Sequence, residues 1–99
     1  MGELDDAARW LERVTGDPMA DAVRGRARVT DASPPAGRGR HQECRVTLEV
    51  EADGVSARAV EQVVVLDRRY WPVVGTALPA RVSLSHPDAV EVDWDALGR

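Results

Sequence analysis

Residues 44–66 read CRVTLEVEADGVSARAVEQVVVL, and this stretch decides the fold. Cys44, Val46, Leu48 and Val50 alternate with Arg45, Thr47, Glu49 and Glu51. A period of two gives a strand with one apolar and one wet face. Asp53-Gly54 marks a hairpin turn, because glycine takes the positive φ that the turn requires. The return arm ends in Val63, Val64, Val65 and Leu66, apolar on both faces, so cover on both faces is expected. Earlier in that arm Val55, Ala57 and Ala59 share a face. Continuing their phase would bury Glu61 beside Val63 and Val65, and an unpaired buried carboxylate is costly. A bulge near Ala59-Val60 is therefore expected to reset the phase and bend the strand.

On the N-terminal side, Val23–Thr30 reads as a strand with Val23, Gly25, Ala27 and Val29 on one face and Arg24, Arg26 and Arg28 on the other. The arginine stripe fits a phosphate track. It fits better as cross-strand partners for Glu49 and Glu51. Residues 31–42, DASPPAGRGRHQ, form a loop broken by two prolines and two glycines. Its Gly37-Arg38-Gly39-Arg40 run has the composition to wrap an anion. Residues 24–45 hold six arginines and two acids, the best candidate patch for a polyanion or an acidic partner. Upstream, residues 3–15 have the spacing of an amphipathic helix: Leu4, Ala7, Ala8 and Leu11, widened by Trp10 and Val14. Gly16 and Pro18 suit its end. About a dozen residues is marginal for a free helix, so the stripe packs on its own barrel or on a partner.

On the C-terminal side, residues 67–76 form a connection with a single helical turn and a tight turn at Gly75. Tyr70 and Trp71 beside Arg68 and Arg69 have the makings of a base-stacking surface. The plainer reading is that Trp71 plugs one end of the barrel. Leu78–Ser85 reads as a strand with Leu78, Ala80, Val82 and Leu84 inward, starting or lying at an edge because Pro79 cannot donate to a ladder. His86-Pro87-Asp88 is a turn. Ala89–Trp94 is a last strand, with Val90, Val92 and Trp94 inward and Glu91 and Asp93 outward, facing Arg81. The expected fold is mainly β: a small five- to six-stranded antiparallel barrel, OB- or SH3-like, closed to remove its edges, with one N-terminal amphipathic α-helix. The expected division is 1–22 for the helix and connection, 23–95 for the barrel and 96–99 for a tail.

Ninety-nine residues make one domain. The net charge of −4 argues against a general nucleic-acid binder. Thirteen basic residues are all arginine, and Lys, Asn, Ile and Phe are absent, the signature of a GC-rich genome. Arginine enrichment therefore says little about phosphate. A single cysteine permits no internal disulfide. No apolar run approaches the roughly 18 residues of a membrane span. The acidic Met1–Asp6 stretch lacks the apolar core of a signal peptide, so a cytoplasmic location is expected.

The second half resembles a family of small, uncharacterised bacterial OB-like β-barrel domains. The resemblance rests on Gly75, then Leu78-Pro79-Ala80-Arg81-Val82-Ser83-Leu84, the His86-Pro87-Asp88 turn, and Val90-Glu91-Val92-Asp93-Trp94. Gly25, Ala27 and Val29 and the Leu48-Glu49-Val50 strand fit it too, so it covers residues 23–95. It implies an OB-like barrel and, for many such domains, a neighbouring membrane segment; it implies no activity.

The residues offer little chemistry. Nucleophile-elbow, phosphate-loop, dinucleotide and zinc-protease motifs are absent. His41 and Cys44 are three apart, the makings of a thiolate pair, but Cys44 falls in the inward phase of its strand. A metal site would need His41, Glu43, Cys44 and His86 to converge. Glu91, Asp93 and Asp95 read as a solvated face. No catalytic residue, metal or cofactor is expected. The first expectation is a non-enzymatic interaction or assembly module acting on a protein partner or a second copy, with Leu4, Ala7, Ala8, Trp10, Leu11 and Val14 as the helix interface. The second is single-stranded nucleic-acid binding through Arg24, Arg26, Arg28, Arg38 and Arg40 with Arg68, Arg69, Tyr70 and Trp71. The third is a small ligand at the barrel mouth near Trp71 and Trp94.

Overall fold

The computed structural model of the chain describes residues 19–99. The helix expected over residues 3–15, with its face of Leu4, Ala7, Ala8, Trp10, Leu11 and Val14, lies outside the described residues. Five strands follow in order: β1 (Ala22–Ala32), β2 (His41–Ala52), β3 (Val55–Asp67), β4 (Ala77–Ser83) and β5 (Val90–Val92). Arg68–Tyr70 and Trp94–Gly98 form short 3-10 turns. The strands make one antiparallel sheet in the order β3-β2-β1-β4-β5, curled into a half-barrel.

The alternation of β2 sets the core. Cys44, Val46, Leu48 and Val50 are each 0% exposed. They meet Ala27 and Val29 of β1, Val60 and Leu66 of β3, Leu78, Ala80 and Val82 of β4, and Val92. Gly54 closes the β2–β3 hairpin at a φ of 78°, where a side chain would be strained. Gly25 lets β1 lie close against β2. A Cβ there would stand 2.5 Å from the Glu51 carbonyl oxygen and 2.8 Å from the Ala52 Cβ.

The sheet departs from the expected closed barrel in its edges. β4 crosses over to pair with β1, so the strands do not simply meander, and β3 and β5 are left as the two edges. Side chains bridge the seam between them. Gln62 Nε2 donates to the Val90 carbonyl at 2.9 Å, and Arg58 pairs with Asp88 at 2.7 Å. The closure that backbone bonds supply elsewhere is made here by an amide and an ion pair.

The phase of β3 resets, but not at Ala59-Val60. Val50 pairs with Arg58 and Ala52 with Val55, so β3 carries its extra residue at Ser56-Ala57, opposite Glu51. From there Val60, Gln62, Val64 and Leu66 face inward, and Glu61 faces out to pair with Arg45 at 3.5 Å. The costly burial of Glu61 is avoided three residues nearer the turn than expected. The same phase turns Val63 and Val65 outward, 58% and 64% exposed, so the valine run is not covered on both faces.

Strand β4 ends at Ser83, and the expected inward Leu84 is 46% exposed. Ser83 is buried in its place because its hydroxyl is satisfied. It donates to Asp21 Oδ1 at 2.8 Å and accepts from the His86 backbone N–H at 3.0 Å. The last strand is only three residues long. Trp94, Ala96 and Leu97 leave it in the 3-10 turn and pack against the core, so this segment is more than a tail.

Candidate functional site

The glycine–arginine loop expected to wrap an anion already holds an internal acceptor. Gln42 Oε1 accepts from the backbone N–H groups of Ala36 at 2.8 Å and Gly37 at 3.2 Å. Gln42 Nε2 donates to the carbonyls of Gly37 at 2.8 Å and Gly39 at 2.7 Å. One carboxamide thus fills the concavity that an anion would need. Gln42, at the start of β2, was not singled out from sequence; a glutamine directly after a glycine-rich loop is the only local signal.

The structure brings together two arginine groups that are far apart in sequence. The Arg68 N–H donates to the Arg40 carbonyl at 2.6 Å, placing the 3-10 turn beside the loop. Asp67 sits between them. It accepts from Arg40 Nε at 3.0 Å and from Arg69 Nη2 at 3.1 Å, and its other oxygen caps the turn through the Arg69 N–H at 2.9 Å. The Arg69 side chain and then its backbone N–H hold the Asp67 carboxyl well below the usual carboxylate range, with Arg40 adding to them. Two of the four arginines at this end are therefore engaged by one carboxylate. Arg38 and Arg68 make no ion pair among the described residues.

Of the aromatic pair, Tyr70 stays exposed and Trp71 does not. Arg69 lies 5.3 Å from the Tyr70 ring centroid. A Cβ at Gly98 would touch three atoms of the same ring at 3.6 Å, so the C-terminal turn lies against it. Trp71 is half-buried on the core, and its Nε1 donates to the Ser33 carbonyl at 2.9 Å. It plugs this end of the half-barrel.

On the outer face, Arg28 pairs with Glu49 at 3.2 Å, as the cross-strand reading expects. Arg26 stands opposite Glu51 in register without an ion pair, and Arg24 stands opposite Arg81. Beside this last pair runs an open groove of about 840 Å³, bordered by Pro79, Glu91, Trp94 and Asp95. Trp94 borders this groove, and Trp71 does not.

Cys44 is fully buried, burial pushes its thiol up, and its Sγ lies 3.8 Å from the Ser33 carbonyl; His41 is exposed. No group of three metal-ligating side chains occurs among the described residues. At the opposite end Ser85 Oγ lies 3.0 Å from His86 Nδ1, and Asp21 accepts from Ser83 and from the Ser85 N–H at 2.9 Å. These are the residue types of a hydrolase triad in a different arrangement. The acid binds serines and does not orient the imidazole, which is what a triad requires. The group caps the end of β4.

The remaining feature is the outer face of β3. Val63 stands opposite Arg45, and Val65 opposite Glu43. An exposed valine pair thus lies beside one basic and one acidic residue of β2, at a sheet edge with no further backbone ladder partner among the described residues.

No family model, no curated protein and no solved structure matches the chain. Fold and site together define a mainly β protein: a curled antiparallel half-barrel with an exposed valine edge. Among the described residues no helix is long and apolar enough to cross a membrane.

Proposed function

We propose that the chain is a non-enzymatic interaction and assembly module on an OB-like half-barrel, and that its contact surface is the outer face of β3 at Val63 and Val65. The strand order supports the OB-like reading over the SH3-like one, because β4 returns beside β1 and brings β5 toward β3. The observation that carries the functional reading is the exposure of both valines on an edge strand, where proteins ordinarily place charge, proline or a cover. The partner is a second copy of the chain. Arg45 and Glu43 of β2 stand beside the two valines, so a two-fold face-to-face apposition sets each Arg45, which also pairs with Glu61 of its own chain, near the Glu43 of the other copy while valine meets valine.

Single-stranded nucleic acid is the weaker reading. An OB barrel binds it on strands two and three. Here that outer face carries Glu43, Glu49, Glu51 and Glu61 against Arg45 alone.

Sedimentation equilibrium on the full chain tests the proposal, from about 5 to 500 μM, a range suited to a small interface. The proposal expects reversible dimers that Val63→Lys with Val65→Lys abolishes without lowering the Tm. A monomer throughout, or a dimer indifferent to both substitutions, would overturn it.

A further inference from the structure

Arg24 and Arg81 stand directly opposite each other on the outer faces of β1 and β4. Like charges in that position are destabilising. Six of the described arginines (Arg28, Arg40, Arg45, Arg58, Arg69 and Arg99) each meet a carboxylate, and of the others only Arg24 and Arg81 stand opposite each other in register. Arg24 and Arg81 meet none among the described residues, although Glu91 lies opposite Arg81 in the β4–β5 register. Asp93, in the same groove, is held by Arg99.

The groove beside them has the attributes of a small-molecule site. Its volume of about 840 Å³ lies within the range of ligand pockets. Pro79 and the half-buried Trp94 give it apolar surface, and Glu91 and Asp95 put carboxylates on its border. Two arginines opposite each other in register bring two sets of planar guanidinium donors to the groove lining, which suits the several oxygens of a phosphate dianion. An indole beside them suits a flat ring. Carboxylates at the border accept from hydroxyl groups and repel a second phosphate.

We propose that this groove binds a small phosphomonoester carrying a planar ring and hydroxyl groups, a nucleoside monophosphate in class, with its phosphate between Arg24 and Arg81 and its ring against Trp94. The site is independent of the β3 surface and stands or falls without it. It also differs from a nucleic-acid track, since it holds one phosphate and the neighbouring acids exclude the next.

Titration of the isotope-labelled full chain by NMR tests this, with adenosine 5′-monophosphate, adenosine and inorganic phosphate as probes. The monophosphate is expected to shift the Arg24 and Arg81 side-chain N–H signals and the Trp94 indole N–H saturably, about ten-fold more tightly than adenosine or phosphate alone. Arg81→Gln is expected to weaken it about ten-fold, and Arg38→Gln to leave it unchanged. In the free protein Arg24→Gln is expected to raise the Tm by about 2–4 °C, because it relieves the opposed charges. The proposal is overturned if no probe saturates, if adenosine binds as well as its monophosphate, or if Arg38→Gln costs as much as Arg81→Gln. A Tm that falls with Arg24→Gln would also overturn it, since the arginine would then have an acidic partner of its own.

Discussion

Gln62 and Val90 hold the half-barrel together across its open side. The amide of Gln62, on one edge strand, donates to the carbonyl of Val90 on the other at 2.9 Å. Among the described residues no backbone ladder joins the two edges. This part-buried amide and the Arg58–Asp88 ion pair therefore stand in for a row of hydrogen bonds. Gln62→Ala is expected to cost about 1 kcal/mol. Hydrogen exchange should show the loss locally, with amides 90–97 exchanging faster and those of β1 and β2 unchanged.

Leu48, at the centre of β2, is the largest fully buried side chain among the described residues. Leu48→Ala is expected to cost about 2–5 kcal/mol, since the surrounding strands cannot collapse into the space. Urea denaturation checks this, and a loss below 1 kcal/mol would mean the half-barrel is looser than described.

Gly25 is expected to tolerate no larger residue. The added methyl of Gly25→Ala would meet the Glu51 carbonyl oxygen, a backbone atom that cannot swing aside. The expected loss is about 1–3 kcal/mol, measured in the same denaturation series. Gly37→Ala, where a Cβ meets nothing within 4 Å, serves as the control.

Asp67 gives stability a dependence on acid. Its folded-state carboxyl lies well below the ordinary range because Arg69 and Arg40 bind the ionised form. A depressed carboxyl contributes stability that is fully present above its unfolded pKa of about 3.9 and is lost as pH falls through the folded value. Urea midpoints should therefore fall as pH drops below about 4. Asp67→Asn should be less stable at neutral pH and show a shallower acid fall. An identical acid limb in the variant would show that Asp67 does not contribute.

Much of the fold was legible where one strand alternates cleanly. Cys44, Val46, Leu48 and Val50 declare their face, and Asp53-Gly54 declares the turn. The return strand was harder because its alternation breaks: the extra residue at Ser56-Ala57 shifts every later side chain to the other face. A run such as Val63–Leu66 looks alike whether covered twice or once. That β4 pairs with β1 is a long-range choice that local periodicity does not carry. Ser83 and Leu84 exchanged their expected places because a hydroxyl bonded to Asp21 can be buried, and that partner lies 62 residues away.

The candidate sites were legible as residue types but not as arrangements. The plug role of Trp71 and the pairing of Arg28 with Glu49 follow from the sequence reading. The filling of the glycine–arginine loop by Gln42 does not, nor does the convergence of Arg40 and Arg69 on Asp67, because each depends on segments meeting in space. The opposed Arg24 and Arg81 were visible only once the register of β1 with β4 was known.

The central claim is that the valine end of β3 is a contact surface between copies. Hydrogen exchange of the full chain, read over residues 61–67 at low and high protein concentration, tests it most directly. The account predicts that protection of these amides rises with concentration while β1 and β4 stay constant. Exchange in β3 that is identical at every concentration would contradict it.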